Sequence, residues 1–225
     1  MMKTLRYQSP IARDSEPTLL VLLPGAGMAA EDFETHGFIA AVQHHLCCCD
    51  VLAVETGVET YLDDDITPRL HHEVIAPARG AGIERLWLAG ISVGGFGALS
   101  YLKEHSAAVT GLLLLAPFIG SRGLIAKVEE AGGIQSWSRC DVAGATPQHR
   151  LLEWLAGQNF CAGAGPTVHL GFGLQDRFAA AHRLLAGLLP TERVTTLSGG
   201  HDWPTWEVLW PQLLDKALRE PSGEA

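Results

Sequence analysis

The sequence predicts an α/β fold in which helices cover both faces of a doubly wound, mostly parallel sheet. Two observations support this prediction. Short apolar runs recur along the chain, and most of them are near-continuous rather than alternating, as in strands that are buried on both faces. Segments with helical periodicity separate these runs, and alternation of strand and helix is typical of a parallel sheet.

The elements can be assigned in chain order. The predicted strands are residues 4–8 (an outer strand), Thr18–Leu23, Cys49–Glu55, Arg85–Ala89, Gly111–Pro117, Pro166–Gly171 and Arg193–Ser198. The predicted helices are Glu31–His45, Thr67–Ala81, Val93–His105, Arg177–Leu188 and Trp203–Arg219. The residues after them, 220–225, are polar and are expected to form a loose tail.

One connection is much longer than the others. Residues 119–165 separate two predicted strands and contain helix-like pieces at Gly123–Ala131 and Gln148–Gly157. Because connections of this length usually carry function or structure of their own, we expect a small helical cap over the carboxyl ends of the strands. No linker, repeat or charge block divides the rest, so residues 1–225 are expected to form a single domain with this cap, 119–165, inserted in it.

Composition and charge exclude several function classes. The formal net charge of −9 leaves no basic footprint for nucleic acid. Apolar runs such as Leu19–Leu23 are too short to span a bilayer, so no stable membrane insertion is expected. The first residues, MMKTLRYQSPIARD, contain no apolar segment of signal-peptide length, which predicts a cytoplasmic protein. The sequence carries no signal for oligomeric state.

A cluster of metal-ligand residue types occurs at positions 44–50, which read HHLCCCD. Side chains that are adjacent along a strand point to opposite faces, and no second ligand pair follows at metal-site spacing. We therefore expect no metal site here and interpret the cysteines as small buried apolar residues.

A single serine stands among glycines at Gly90-Ile91-Ser92-Val93-Gly94, which matches the pattern G-x-S-x-G. It follows a predicted strand and precedes a predicted helix, the setting in which this motif forms a sharp nucleophile turn. Glycine inside a helix costs about 1 kcal/mol relative to alanine, so these glycines indicate close packing at the turn. Ser92 is the predicted nucleophile.

A serine nucleophile needs a base and an acid that orients the base. His201 follows the last predicted strand in SGGHDWPTW, and the loops after parallel strands are where such sheets place their sites, so His201 is the predicted base. Asp176 follows the preceding strand and is the predicted acid, although an aspartate there could also cap a helix. The alternative acids are Asp141 and Glu153 in the cap and Asp202 beside the base.

An acyl-transfer site also needs backbone donors for the oxyanion and a surface for the substrate. The predicted oxyanion donors are the amides of Val93 and of Ala26, the latter in the loop LLPGAGMAAEDF. Met28 is the second choice in that loop and a predicted substrate contact, together with Phe118 and Trp203. Phe96 and Trp206 are further aromatic candidates, and for these two and Trp203 a core position is the alternative.

Taken together, the motifs PGAGM, GISVGGFGAL, GLQDRF and GGHDWPTW resemble the α/β-hydrolase superfamily over roughly residues 18–210. The second and fourth are most similar to serine esterases of the esterase D and enterochelin-esterase type, and the first to small carboxylesterases. The resemblance implies hydrolysis of a small acyl ester or thioester through an acyl-enzyme intermediate, with Ser92, His201 and Asp176 as the triad and with no cofactor or metal.

Two other functions remain open at this stage. The segment Gly25-Ala26-Gly27-Met28-Ala29-Ala30 matches G-x-G-x-x-A after a strand, a dinucleotide-binding pattern, with the acidic Glu55 closing the next strand. That pattern predicts a nucleotide-dependent oxidoreductase. The third hypothesis is a non-catalytic binding protein built on a hydrolase fold.

Overall fold

Seven strands form one sheet in the order β1-β3-β2-β4-β5-β6-β7. A computed structural model describes residues 2–9, 17–45, 48–63, 65–137, 145–162 and 165–219. All neighbouring strands pair in parallel except β1, which is antiparallel to β3. The strands are β1 Lys3–Tyr7, β2 Thr18–Leu23, β3 Cys49–Glu55, β4 Arg85–Ile91, β5 Gly111–Leu115, β6 Thr167–Gly173 and β7 Val194–Leu197.

Ten α-helical segments connect and cover the described strands. They are α1 Asp32–Thr35, α2 Phe38–His45, α3 Val58–Leu62, α4 Ile66–Leu70, α5 Ala76–Gly80, α6 Val93–His105, α7 Arg122–Glu130, α8 Pro147–Ala156, α9 Ala179–Ala186 and α10 Trp203–Arg219. A π-helical turn, His71–Ile75, joins α4 to α5 without a break.

Helices cover the sheet on both faces. A Cβ atom on Gly171 would contact Leu209 and Leu213 of α10, whereas one on Gly90 would overlap the backbone of α6. Gly171 is in register with Ile91, the residue next to Gly90, so the two glycines face opposite sides of the sheet. Helix α2 contacts α10, and α3, α4 and α8 contact α6. The predicted doubly wound, mostly parallel α/β fold is confirmed.

Burial on both faces explains the continuous apolar strands. All five residues of β5 are buried, as are residues 19–23 of β2. Neither strand has a solvent-exposed face, so neither shows the alternation of apolar and polar residues that is typical of a half-exposed strand.

Several predicted boundaries were wrong for local reasons. The helix expected over Glu31–His45 is divided into α1 and α2, because Gly37 adopts a left-handed φ of 75° between them. The strand expected to reach Pro117 ends at Leu115, since Ala116 turns out of it with a φ of 46°. Helix α3 was not predicted at all.

Among its described residues, the predicted cap segment contains two α-helices, α7 and α8, close to the expected positions. Helix α7 contacts α9, and α8 contacts α6. Residues 138–144 and 163–164 of this segment lie outside the described residues, as does the tail, 220–225. The single-domain organisation and the role of 119–165 as a cap stay predictions. Among the described helices, none has the length and apolar character needed to cross a membrane.

Candidate active site

The candidate site lies at the carboxyl edge of the sheet. Strands β2, β4, β5, β6 and β7 run parallel, so the segments that follow them meet at one edge. This edge receives the loop 24–28, Ser92, the segment 116–118, Asp176 and His201.

Ser92 forms a strained turn between β4 and α6. Its φ of 54° and ψ of −116° are rare for a residue with a side chain. Two hydrogen bonds hold this conformation: Ser92 N donates to Leu115 O at 3.0 Å, and Phe118 N donates to Ser92 O at 2.8 Å. The segment after β5 therefore fixes the serine in place.

The glycines around Ser92 allow three backbones to meet. A Cβ atom on Gly94 would overlap the carbonyl oxygen of Leu23, and one on Gly90 would overlap the backbone of Gly94. A Cβ atom on Gly95 would lie 2.6 Å from the Cβ atom of Pro117. Close packing thus requires glycine at all three positions, as the motif indicated.

The three predicted triad residues lie in one hydrogen-bonded line. His201 Nε2 is 3.1 Å from Ser92 Oγ, and His201 Nδ1 is 2.7 Å from Asp176 Oδ2. The Asp176 side chain is fully buried, whereas that of His201 is 10% exposed. The line therefore leads from a buried carboxylate to the edge of the sheet, where solvent or substrate can reach it.

Asp176 is built to stay ionised. Burial raises the pKa of its carboxyl, but the hydrogen bond from His201 and the bond from the Phe178 amide outweigh burial and hold the pKa below its usual value. The Phe178 amide donates to Oδ1 at 2.7 Å, which leaves Oδ2 for the imidazole. A carboxylate in this position orients the imidazole and stabilises its protonated form.

A second histidine lies on the other side of this carboxylate. The His182 side chain is fully buried, and its Nδ1 is 3.9 Å from Asp176 Oδ2. Its ring is nearly parallel to that of His201, with centroids 6.5 Å apart. Burial lowers the pKa of His182 to about 4, although the charge of Asp176 opposes that shift, so this ring is neutral at neutral pH.

The loop after β2 presents backbone amides to the same edge. Ala26 and Gly27 are exposed, and within the described residues their amides donate to no protein acceptor. Val93 begins α6, so its amide has no acceptor within the helix. The roles of Ala26 and Val93 as oxyanion donors stay predictions.

A residue that the sequence analysis missed anchors this loop. The buried hydroxyl of Tyr61, on α3, donates to Pro24 O at 3.0 Å. A Cβ atom on Gly97 of α6 would lie 2.6 Å from the Tyr61 ring. Tyr61 therefore ties the loop to the helix that follows the nucleophile. No signal pointed to it, because α3 itself was not predicted.

The predicted substrate contacts pack against different neighbours. Met28 is half-buried, and its sulfur accepts the Gly25 amide at 3.1 Å. Phe118 packs against Phe96, with centroids 6.1 Å apart, beside the serine it hydrogen-bonds. Trp203 stacks on His36, with ring centroids 3.9 Å apart, and also contacts Trp206, whose ring meets that of His201. The substrate roles of Met28, Phe118 and Trp203 stay predictions.

Two other aromatic rings contact the His201 imidazole directly. Trp206 and Phe178 both meet the His201 ring edge to face, with centroids 5.1 Å apart in each case. Trp206 is buried, as the core alternative for it required. Phe178 was missed, although its position two residues after the acid was a usable signal.

The alternative acids occupy other places. Asp202 Oδ1 accepts hydrogen bonds from the amide and hydroxyl of Thr205, as a cap for α10. Glu153 lies on α8, and Asp141 lies outside the described residues.

The geometry of the first loop does not support dinucleotide binding. That pattern needs a helix that begins at the glycine loop, so that its amino terminus meets the pyrophosphate. Here α1 begins only at Asp32 and has four residues. The carboxylate of Glu55 accepts the Ala30 amide at 3.0 Å, so it already has a structural role.

Among the described residues, no group of three or more potential ligands could hold a metal ion. In the histidine and cysteine segment, Asp50 lies 3.0 Å from Arg6, Cys49 is buried, and Cys47 lies outside the described residues.

Comparisons with known proteins give similarity in structure only. No protein-family model matches the chain, and no curated protein matches it. The fluorophosphonate-binding serine hydrolase F of Staphylococcus aureus is 14% identical, with a TM-score of 0.66 over 98% of this chain and 99% of that one. An S-formylglutathione hydrolase from Agrobacterium tumefaciens is 14% identical, with a TM-score of 0.63 over 97% and 90% of the two chains.

A monoacylglycerol lipase from Paleococcus ferrophilus is also similar, at 13% identity and a TM-score of 0.61 over 96% of this chain and 99% of that one. At such low identity these matches establish the fold alone. Together with the sheet order, they show that the chain has the α/β-hydrolase fold.

Proposed function

We propose that this chain, which has the α/β-hydrolase fold, is a serine hydrolase that cleaves a carboxylic ester or thioester of a small acyl substrate. The observation that carries the proposal is the line Ser92–His201–Asp176, with donor–acceptor distances of 3.1 and 2.7 Å. Three residues from three separate loops converge in the order that nucleophile, base and orienting acid require.

The reaction begins with attack by Ser92. The Oγ atom forms a bond to the acyl carbon while its proton passes to His201 Nε2. The tetrahedral intermediate then collapses, the bond to the leaving group breaks, and the imidazolium returns the proton to the departing alcohol or thiol. Asp176, ionised and buried, stabilises the imidazolium between these steps.

Water completes the cycle. His201 removes a proton from a water molecule, whose oxygen attacks the acyl-enzyme. As the second tetrahedral intermediate collapses, the bond between Ser92 Oγ and the acyl carbon breaks, the His201 imidazolium returns its proton to Oγ, and the carboxylic acid leaves. In both halves, the amides of Ala26 and Val93 are the proposed oxyanion donors, each worth about 3–4 kcal/mol of transition-state stabilisation.

The names of two similar solved structures are relevant to the substrate class. One is named a lipase, and another is named for hydrolysis of S-formylglutathione, which is a thioester. Both chemistries need an acyl carbonyl and no metal or organic cofactor, and the proposal includes neither group. A nucleic-acid partner and insertion into a membrane are not part of it, and the cytoplasmic location stays a prediction from the sequence.

The proposal is tested by hydrolysis of p-nitrophenyl esters and acyl thioesters of increasing chain length. Ser92→Ala and Asp176→Asn should each lower kcat by about 10⁴-fold or more, the first by removing the nucleophile and the second by favouring the wrong imidazole tautomer. Asp202→Asn is the matched control, because asparagine also caps helices and should keep kcat within a few-fold of the wild type. Full activity in Ser92→Ala would refute the proposal.

A further inference from the structure

An unusual pair of arginines stands beside the catalytic imidazole. The guanidinium carbon of Arg177 lies 4.9 Å from the centroid of the Phe178 ring, and that of Arg122 lies 5.7 Å from the same centroid. The Phe178 ring in turn meets the His201 ring edge to face at 5.1 Å. Both cations are thus separated from the catalytic histidine by a single aromatic side chain.

The two arginines reach this ring from different parts of the chain. Arg177 follows Asp176 in the turn after β6. Arg122 begins α7, whose cap residue Ser121 accepts the Leu124 amide and donates its own amide to Gln148 at 2.9 Å. Phe178 is held by the hydrogen bond that its backbone amide donates to Asp176 Oδ1. Hydrogen bonds of neighbouring residues therefore fix the backbone at Arg122, Arg177 and Phe178.

Both guanidinium groups are available to a ligand. Arg122 and Arg177 are exposed, and in the described part of the chain neither forms an ion pair with a carboxylate. Some other surface cations do form ion pairs, for example Lys3 with Glu31 and Arg69 with Glu73. In a chain whose net charge is −9, two cations on one aromatic ring at the site edge form a local concentration of positive charge.

The chemistry of this pair fits an anion. A guanidinium stacked on an aromatic ring keeps its N–H edge free, and that edge binds a carboxylate with two parallel hydrogen bonds. We propose that Arg122 and Arg177 form an anion-binding subsite that selects esters or thioesters with a carboxylate or similar group on one arm. This inference rests on the function proposed above and narrows its substrate class.

The test compares matched esters that differ in one charge. For the acyl arm, the pair is mono-p-nitrophenyl glutarate and p-nitrophenyl valerate. For the leaving-group arm, the pair is p-acetoxybenzoate and its methyl ester. The wild type should show a higher kcat/KM for the anionic member of at least one pair, and the responding pair identifies the arm that meets the arginines.

The double variant Arg122→Gln with Arg177→Gln should lower this anionic preference by about tenfold, and 0.5 M salt should lower it in the wild type. Lys127→Gln on α7, the helix of Arg122, and Arg183→Gln on α9, the helix that follows Arg177, each remove one positive charge and should keep the wild-type ratio. An unchanged ratio in the double variant, or an equal loss in the controls, would overturn the subsite.

A binding measurement separates this inference from the proposed function. Calorimetric titration with glutarate should show weaker binding to the double variant than to the wild type, whether or not esters are cleaved. Hydrolysis of neutral esters without an anionic preference would refute the subsite and leave the proposed function standing. Glutarate binding that depends on the arginines, in a protein that cleaves no ester, would refute the hydrolase and leave the subsite.

Discussion

Two glycine-rich junctions follow strands at the same edge of the sheet, and they are built in opposite ways. The junction after β4, Gly90–Gly95, is sealed: Cβ atoms on its glycines would meet neighbouring backbone or proline atoms. The junction after β2, Pro24–Met28, is open at its tip: Ala26 and Gly27 are exposed, and a Cβ atom on Gly27 would meet nothing within 4 Å, whereas Gly25 at its base is buried.

The difference separates two tasks. The sealed junction holds the backbone of Ser92 in a conformation with a positive φ that a residue with a side chain rarely adopts. The open junction offers backbone amides without protein acceptors, which suits it to bind negative charge on a substrate. Glycine serves close approach in the first junction and a left-handed φ of 75° at Gly27 in the second.

Alanine substitutions in the two junctions should differ in their effect on stability, and this is the largest effect that we expect. Gly94→Ala places a methyl group on the carbonyl oxygen of Leu23, so we expect a loss of about 3–5 kcal/mol in the free energy of unfolding. Gly27→Ala meets no atoms and should cost about 1 kcal/mol through its positive φ alone. Urea denaturation of both variants measures the difference. Equal losses would show that the two junctions are packed alike.

Acid sensitivity should come from the buried His182, which lies near the carbonyl groups of Ala116 and Pro117. The unfolded chain binds a proton at His182 near pH 6.5, whereas burial lowers the folded pKa to about 4. Between these values the unfolded state binds more protons, so stability falls as the pH falls. We expect this residue alone to remove about 3 kcal/mol between pH 6.5 and 4.

The measurement is the free energy of unfolding across that pH range in wild type and in His182→Leu. The variant should lose much less stability on acidification, whatever its stability at neutral pH. His72→Gln, at an exposed histidine, should keep the wild-type dependence. Asp176 contributes at lower pH, because its pKa lies below the usual value. An identical slope in His182→Leu would show that this ring is not buried in its neutral form.

A smaller effect is expected from the loss of the hydrogen bond that anchors the open junction. Tyr61→Phe removes the hydrogen bond to Pro24 O and leaves that buried carbonyl without its donor, at a cost of about 1–2 kcal/mol. Since the bond anchors the proposed oxyanion loop, kcat should fall several-fold while KM changes less. Tyr7→Phe, which removes an exposed bond to Glu34, is the matched control. Unchanged kcat in Tyr61→Phe would mean that the loop keeps its position without this bond.

The sequence predicted the sealed junction better than its surroundings. Apolar periodicity identified the strands, and G-x-S-x-G between a strand and a helix identified Ser92, because both signals reflect local constraints. Chain order then suggested Asp176 and His201, which the fold brings into one line. Each of these three residues closely follows a predicted strand, and the end of a strand can be recognised from the local sequence.

Contacts between distant segments left weaker signals. Tyr61 and His182 meet the site through packing across helices, and nothing in their local sequence marks those contacts. The break at Gly37 was missed because the helical pattern continues on both sides of it. The pattern G-x-G-x-x-A was misleading for the converse reason: it describes the loop but not where the next helix begins.

Mass spectrometry of the protein after reaction with a fluorophosphonate probe tests the central claim most directly, since only an activated serine reacts rapidly with such a probe. We predict a single stoichiometric adduct on Ser92, and rates of labelling that fall strongly in His201→Gln. A folded protein that remains unlabelled, or that carries its adduct on another residue, would contradict the account.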